Sequence, residues 1–162
     1  MTDLLLVPLE DTVVFPGMNV TLTVDVGDED RVVLVPRHES EYAAVGTVAE
    51  VTDRVRIRGV HAVTLDGLHR GVIGAAHTDA LGRLRAEVEE RPDENPPPVQ
   101  TRELEREYRA VVEEILELRN ADERISAFLR SITEAGALAD TCAYAPDISF
   151  AQRVELDRKS VV

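Results

Sequence analysis

Lysine is almost absent from this 162-residue chain: 18 residues are basic, and the single lysine is Lys159, three positions from the last residue. A phosphate-cradling loop needs Gly-x-x-x-x-Gly-Lys-Ser/Thr, so that backbone amides hold the phosphate and the lysine reaches it; no stretch has that form. A serine nucleophile activated by lysine needs both groups on a folded scaffold, and Lys159 beside Ser160 in a terminal tail does not supply one. Three of the four histidines, His61, His69 and His77, recur at eight-residue intervals. A metal reading would set them on neighbouring strands facing one point, but no cysteine or carboxylate at ligand spacing accompanies them, so they read as independent positions. Glu10 and Asp11 are adjacent, and adjacent strand residues point to opposite faces, so they do not form an acid/base pair. Asp11 reads instead as a carboxylate that bonds backbone ahead of a turn. Arg54, Arg56 and Arg58 form a comb of guanidinium groups on one strand face, which could grip an acidic peptide or nucleic acid but in a chain of net charge −13 is read as pairing with carboxylates such as Glu87 and Glu89 across the sheet.

These groups need elements to hold them. The organising stretch is Pro8-Leu9-Glu10-Asp11-Thr12-Val13-Val14-Phe15-Pro16-Gly17-Met18. Proline presets φ for the first central position of a turn and glycine supplies the positive φ of the second, so Pro16-Gly17 reads as a reversal lying against apolar surface through Phe15 and Met18. Val20 to Val26 alternates with Val20, Leu22, Val24 and Val26 inward, the period of a strand with one dry face. Gly27-Asp28-Glu29-Asp30 breaks it. Val32 to Val35 is apolar throughout and reads as a strand covered on both sides. Further runs at 44–51, 54–58, 60–65, 72–76 and 84–89, the last with Leu84, Ala86 and Val88 inside, give six to eight strands of a closed or partly closed antiparallel sheet.

The run Arg91-Pro92-Asp93-Glu94-Asn95-Pro96-Pro97-Pro98 ends the β-rich part, because consecutive prolines continue neither ladder nor helix. Thr101 reads as an N-cap. Leu104, Tyr108, Val111, Val112, Ile115 and Leu118 then share one helical face and form a core-facing stripe, with a Glu/Arg-rich outer face available to a sister subunit. A second helix around Ile125 to Ile132 is read as stopped by Gly136, a third over 137–145 as ended by Pro146. A fourth is capped by Ser149 with Gln152. The fold class is α+β: a β-rich domain over 1–91, a proline hinge over 92–100, and a helical subdomain over 101–162.

The balance of 18 basic to 31 acidic residues, net −13, opposes attraction to phosphate backbones and anionic lipid, so nucleic acid and membrane are disfavoured partners. A hydrophobic content of 44% suffices for a packed core. With no long uncharged apolar run, no basic segment leading into one, and Cys142 as the single cysteine, the expected location is cytoplasmic.

Pro-Leu-x-Asp-x-Val-Val-Phe-Pro-Gly-Met resembles the opening signature of the substrate-binding N-terminal domain of the Lon protease family. Two more blocks follow in the family's order: Val45-Gly46-Thr47-Val48-Ala49-Glu50-Val51 with Leu65-Asp66-Gly67-Leu68-His69-Arg70, then Leu138-Ala139-Asp140-Thr141 through Ser149 to Arg153. The resemblance spans most of residues 4–156. It implies a PUA-like pseudo-barrel followed by helices that lead, in the parent, to an ATPase ring carrying a serine peptidase. The implied role is recognition of unfolded or damaged proteins and a contribution to a homo-oligomeric ring, with Phe15, Pro16 and Met18 as substrate-binding candidates. ATP and Mg²⁺ would belong to the parent's ATPase domain, and this chain itself would be neither ATPase nor peptidase. Two departures stand out. The family's helix between its second and third strands looks shortened or missing within 27–43, and the tail from Asp157 does not continue as the family's Leu-rich helix, as though truncated before the ATPase. The alternative is a free-standing Lon-like domain acting as an adaptor or scaffold.

Overall fold

Strand β1 (Thr2–Glu10), one strand of a closed ring, buries apolar side chains on both of its faces. It pairs antiparallel with β7 (Leu84–Arg91), β7 with β6 (Val60–Thr78), β6 with β5 (Val45–Ile57), and β5 with β3 (Arg31–His38). The ring closes where β3 returns to β1 in parallel, with Leu5 opposite Val32 and Leu9 opposite Pro36. The closure is thus the one departure from an antiparallel sheet, and it requires the crossover between β1 and β3. That crossover holds β2 (Asn19–Leu22), which pairs with β6, while the two-residue β4 (Glu41–Tyr42) pairs with β3. The structure, a computed structural model, describes residues 1–94, 98–145 and 147–160.

Alternation along β1 and β3 feeds two apolar clusters. Leu4, Leu6, Val33 and Val35 join Val48, Ala86 and Val88 on one face; Leu5, Val7, Leu9, Val32 and Leu34 join Ala49, Val63 and Leu65 on the other. The second cluster is roofed by the crossover, through Val14 and Val26 with Met18, Val20, Leu22 and Val24. The fully apolar run 32–35 is therefore dry on both sides, as its composition predicts. The inward set of 20–26 is also as expected, although ladder pairing ends at Leu22 and the rest packs as irregular chain. Residues 27–43 form turns, β3 and β4, with no helix.

The chain divides into two units, one of Met1–Pro92 with Ala145–Val162 and one of Asp93–Tyr144. The final helix therefore belongs with the sheet, a return that the linear division at residues 92–100 does not contain. In the second unit α1 (Pro98–Leu118) starts at a proline, which helices accept at their first position because its missing N–H has no helical partner there. Thr101 thus lies inside the helix and is not its cap. The expected hinge falls in part on residues 95–97, outside the described residues, as does Pro146; Pro92 to Glu94 is exposed and irregular.

The α1 stripe is not chiefly core. Leu104 is 66% exposed, and Val111, Ile115 and Leu118 are exposed as well. A 21-residue helix is about 30 Å long, whereas α2 (Glu123–Ser131) has nine residues and α3 (Ala135–Asp140) six. These short helices bury only Leu129 and Leu138 among their large apolar side chains. Arg109 ties α1 to the end of α2 by donating to the carbonyls of Leu129, at 2.8 Å, and Ile132. Gly136 is not a stop: it sits within α3, where a Cβ would collide with the Asp93 carboxylate. A 3-10 turn follows at Thr141–Tyr144. Helix α4 (Phe150–Lys159) begins at the expected capping box, with Ser149 accepting from the Gln152 N–H and Gln152 accepting from the Ser149 N–H.

Candidate functional site

The turn at Phe15–Met18 closes by the Met18 N–H donating to the Phe15 carbonyl at 3.2 Å, with Gly17 at φ 86°, a conformation that glycine adopts without steric cost. Two further backbone bonds seat it on β6: Gly17 N–H to the Gly67 carbonyl and Gly67 N–H to the Met18 carbonyl, both 2.9 Å. Gly67 is required there, since a Cβ would stand 2.9 Å from the Phe15 carbonyl oxygen and 3.3 Å from Thr47 Cγ2. The Thr47 hydroxyl, itself buried, donates to the Val14 carbonyl at 2.5 Å. The turn is a fixed corner.

Phe15 is 1% exposed, so its ring presents no surface to a binding partner and its place as a contact residue is corrected. It lies instead under the Arg70 guanidinium, 5.2 Å from ring centroid to Cζ. Arg70 Nε donates to Asp157 Oδ1 at 2.6 Å, and both side chains are only 2% exposed. The N-terminal turn, β6 and α4 are thereby linked through one buried cation. Pro16 and Met18 remain half-buried at the surface, Met18 against the larger apolar cluster, with its sulfur accepting from the Phe15 N–H at 3.3 Å.

The arginine comb does not meet Glu87 and Glu89. Glu89 pairs with Arg91, and Arg54 donates to the carbonyls of Gly27, at 3.0 Å, and Glu29. The reason is topological: β5 from Asp53 onward pairs with the first residues of β6, whereas β7 pairs with β6 from Arg70 on. Arg58 has left the strand and occupies the hairpin turn with Gly59, at φ 52° and 80°. This hairpin exposes Val55, Ile57 at 61% and Val60. Sequence reasoning registered its alternation without its exposure; the available signal was Arg58-Gly59 between two alternating runs, a two-residue hairpin.

The histidines face separate carboxylates. His61 lies 3.7 Å from Asp25, His69 2.7 Å from Glu90, His77 3.6 Å from Asp3, and His38 contacts Asp11. Asp11 thus bonds a side chain, not the backbone ahead of the turn, and its hydrogen bond to His38 holds that imidazole's pKa above its ordinary value. No three His, Cys, Asp or Glu side chains among the described residues converge on a metal-sized point. The single lysine, Lys159, lies 3.9 Å from Glu155 on the last turn of α4.

Glu90 is a strongly perturbed carboxylate. The Thr2 hydroxyl donates to it at 2.6 Å, His69 and Arg31 approach its other oxygen, and together they outweigh partial burial and bring its pKa down to about 2 from 4.5. The folded pKa lies below the unfolded one, so the stabilisation is complete above pH 4.5 and is lost as pH falls toward 2. With the side chain a quarter exposed, solvent screening leaves about 1–2 kcal/mol. Urea melts from pH 6 to pH 2.5 are expected to show this acid-limb loss in the wild type and a correspondingly flatter limb in Glu90→Gln; equal slopes would refute the assignment.

Residues 3–156 match the family model described as the ATP-dependent protease La (LON) substrate-binding domain. The chain is 36% identical over 169 residues to the Lon protease of Salinispora arenicola (strain CNS-205), covering 96% of this chain and 21% of that protein. It is 34% identical to the Lon protease of Chloroflexus aurantiacus (strain ATCC 29366 / DSM 635 / J-10-fl), covering 93% and 21%. It thus spans about a fifth of the length of the curated relatives it matches. Among solved structures, the N-terminal domain of Mycobacterium avium complex Lon protease superposes with a TM-score of 0.80 at 27% identity, covering 96% of this chain and 90% of that one. A Lon N-terminal domain protein from Xanthomonas campestris shares the fold, with a TM-score of 0.69 at 20% identity over 99% of this chain and 92% of that one. No helix among the described residues is long and apolar enough to cross a membrane. With the closed β-ring, the Pro16-Gly17 corner and the capped α4 in place across the whole matched span, the chain belongs to the family of Lon protease substrate-binding domains.

Proposed function

We propose that this chain recognises unfolded or damaged proteins for a cytoplasmic ATP-dependent Lon-type serine protease and contributes to assembly of its homo-oligomer. The observation that carries the reading is the family match over residues 3–156, whose description is a substrate-binding domain. The chain spans about a fifth of its relatives' length, and in this reading ATP, Mg²⁺ and the peptidase serine are assigned to the remainder of the parent. The fixed corner at Pro16–Met18 supports the reading, because a rigid apolar surface loses little conformational entropy on contact with a flexible client.

A reduced, unfolded client is expected to bind with micromolar or weaker affinity, and its native form not detectably. Fully burying a Met side chain is worth roughly 1.5–3 kcal/mol, and Met18 is already half-buried. Met18→Asp is therefore expected to weaken client binding about fivefold, the equivalent of about 1 kcal/mol, with the circular dichroism spectrum retained. A wild-type chain that does not distinguish unfolded from native client would overturn the reading.

A further inference from the structure

We infer that the β5–β6 hairpin arm, residues 52–64, receives an extended polypeptide segment as an added strand on its open edge, and that the segment it favours alternates acidic and apolar residues. The inference rests on the substrate-binding reading and specifies its client class. Pairing of β3 with β5 ends at Glu50 opposite Arg31, and the Val51 N–H to Asp30 carbonyl bond at 2.8 Å is the last backbone bond on that side. From Asp53 to Ile57 the strand pairs only with β6. Its outer edge therefore carries backbone donors and acceptors that no strand among the described residues uses, the requirement for strand addition.

The register divides the arm's side chains into two faces. Arg56 lies opposite His61 and Arg54 opposite Val63, whereas Val55 lies opposite Ala62 and Ile57 opposite Val60. Directly opposed residues share a face, so one side is basic and the other apolar. The basic side is not neutralised by the arm. Residues 54–63 contain three arginines and no carboxylate in a chain whose net charge is −13. Arg54 is bonded to backbone carbonyls, and Arg56 and Arg58 make no hydrogen bond or ion pair with the described residues. A cavity of about 280 Å³, lined by residues of both faces, among them Val24, Val26, Arg54, Val55, Arg56 and His61, opens at the foot of the arm. Asp25 and Asp28 also border it, so the acidic side chains of an added strand are directed toward the tip of the arm, to Arg56 and Arg58.

A strand laid along the edge continues both faces, since its own side chains alternate in the same way. Carboxylates then meet the guanidinium groups, and apolar side chains extend the row of Val55, Ile57 and Val60. A second copy of the arm is a poor occupant, because edge-to-edge pairing would bring arginine beside arginine.

The test titrates three labelled twelve-residue peptides into the whole chain: alternating Glu and Val, alternating Lys and Val, and the Glu–Val peptide with every second backbone nitrogen methylated. The Glu–Val peptide is expected to bind at least tenfold more tightly than either of the others. Arg56→Glu with Arg58→Glu, both solvent-facing, is expected to reduce Glu–Val binding at least tenfold with an unchanged circular dichroism spectrum. Equal binding of the methylated peptide, equal binding of the Lys–Val peptide, or an unaffected double variant would overturn the inference, as would arm-dependent self-association in sedimentation at the same concentrations. A parallel titration with a reduced, unfolded protein separates the two levels. If the wild type captures that client and not the Glu–Val peptide, the arm is not the site and the substrate-binding reading stands; if it captures neither, both fail.

Discussion

Asp157→Ala is expected to lower folding stability by about 3–5 kcal/mol, read as a shift in the urea midpoint at constant slope. The carboxylate accepts from Arg70 Nε at 2.6 Å with both side chains 2% exposed, so its removal withdraws the facing charge from a guanidinium that water does not reach. Removing one partner of a buried ion pair costs far more than a surface pair contributes. The double variant Asp157→Ala with Arg70→Met is expected to recover at least half of the loss, because the ion itself is gone and methionine fills much of the same volume. A cost below about 1 kcal/mol for Asp157→Ala would show that the pair does not anchor α4 to the sheet.

Phe15→Ala is expected to cost about 3–5 kcal/mol, the range for truncating a fully buried aromatic ring. The ring is 1% exposed beneath the Arg70 guanidinium, so the variant also loses a cation–π contact and opens a void beside a charge. Its effect on client binding, measured on the folded fraction, is expected to be small, since the ring is not at the surface. A stable Phe15→Ala chain with lost client binding would return Phe15 to the contact surface and overturn its assignment to the core.

What the sequence made legible was local. Val32 to Val35 announced a strand covered on both sides, and it supplies both apolar clusters. Ser149 and Gln152, three positions apart, announced a helix start because both groups of the box act within one turn. Pro16-Gly17 announced its turn, but composition alone did not separate Phe15 from Met18: both are large apolar residues at its flanks, and the backbone bonds that seat the turn come from Gly67, about fifty positions later. The Arg70–Asp157 pair joins residues 87 positions apart and leaves no periodicity to read. The α1 stripe shows the converse failure. Its spacing is that of a buried face, yet burial depends on neighbours long enough to cover it, and those are absent from α2 and α3.

The closure of the ring bears on how the chain reaches its fold during synthesis. β1 is made first, but its partners come late: Leu5 waits for Val32 on one side and Thr2 for Val88 on the other. Until β7 has emerged from the ribosome, Leu4, Leu5, Leu6, Val7 and Leu9 belong to a nascent strand with an open edge, the kind of segment that associates with other chains when it is left uncovered. Pairings this distant in sequence carry a large loop-closure entropy, which slows the step that completes the ring. Asp157 reaches Arg70 later still, so the guanidinium over Phe15 acquires this buried carboxylate only when the end of α4 has been synthesised. A chain of the Lon substrate-binding family therefore passes through a stage in which its own first strand is an exposed apolar segment.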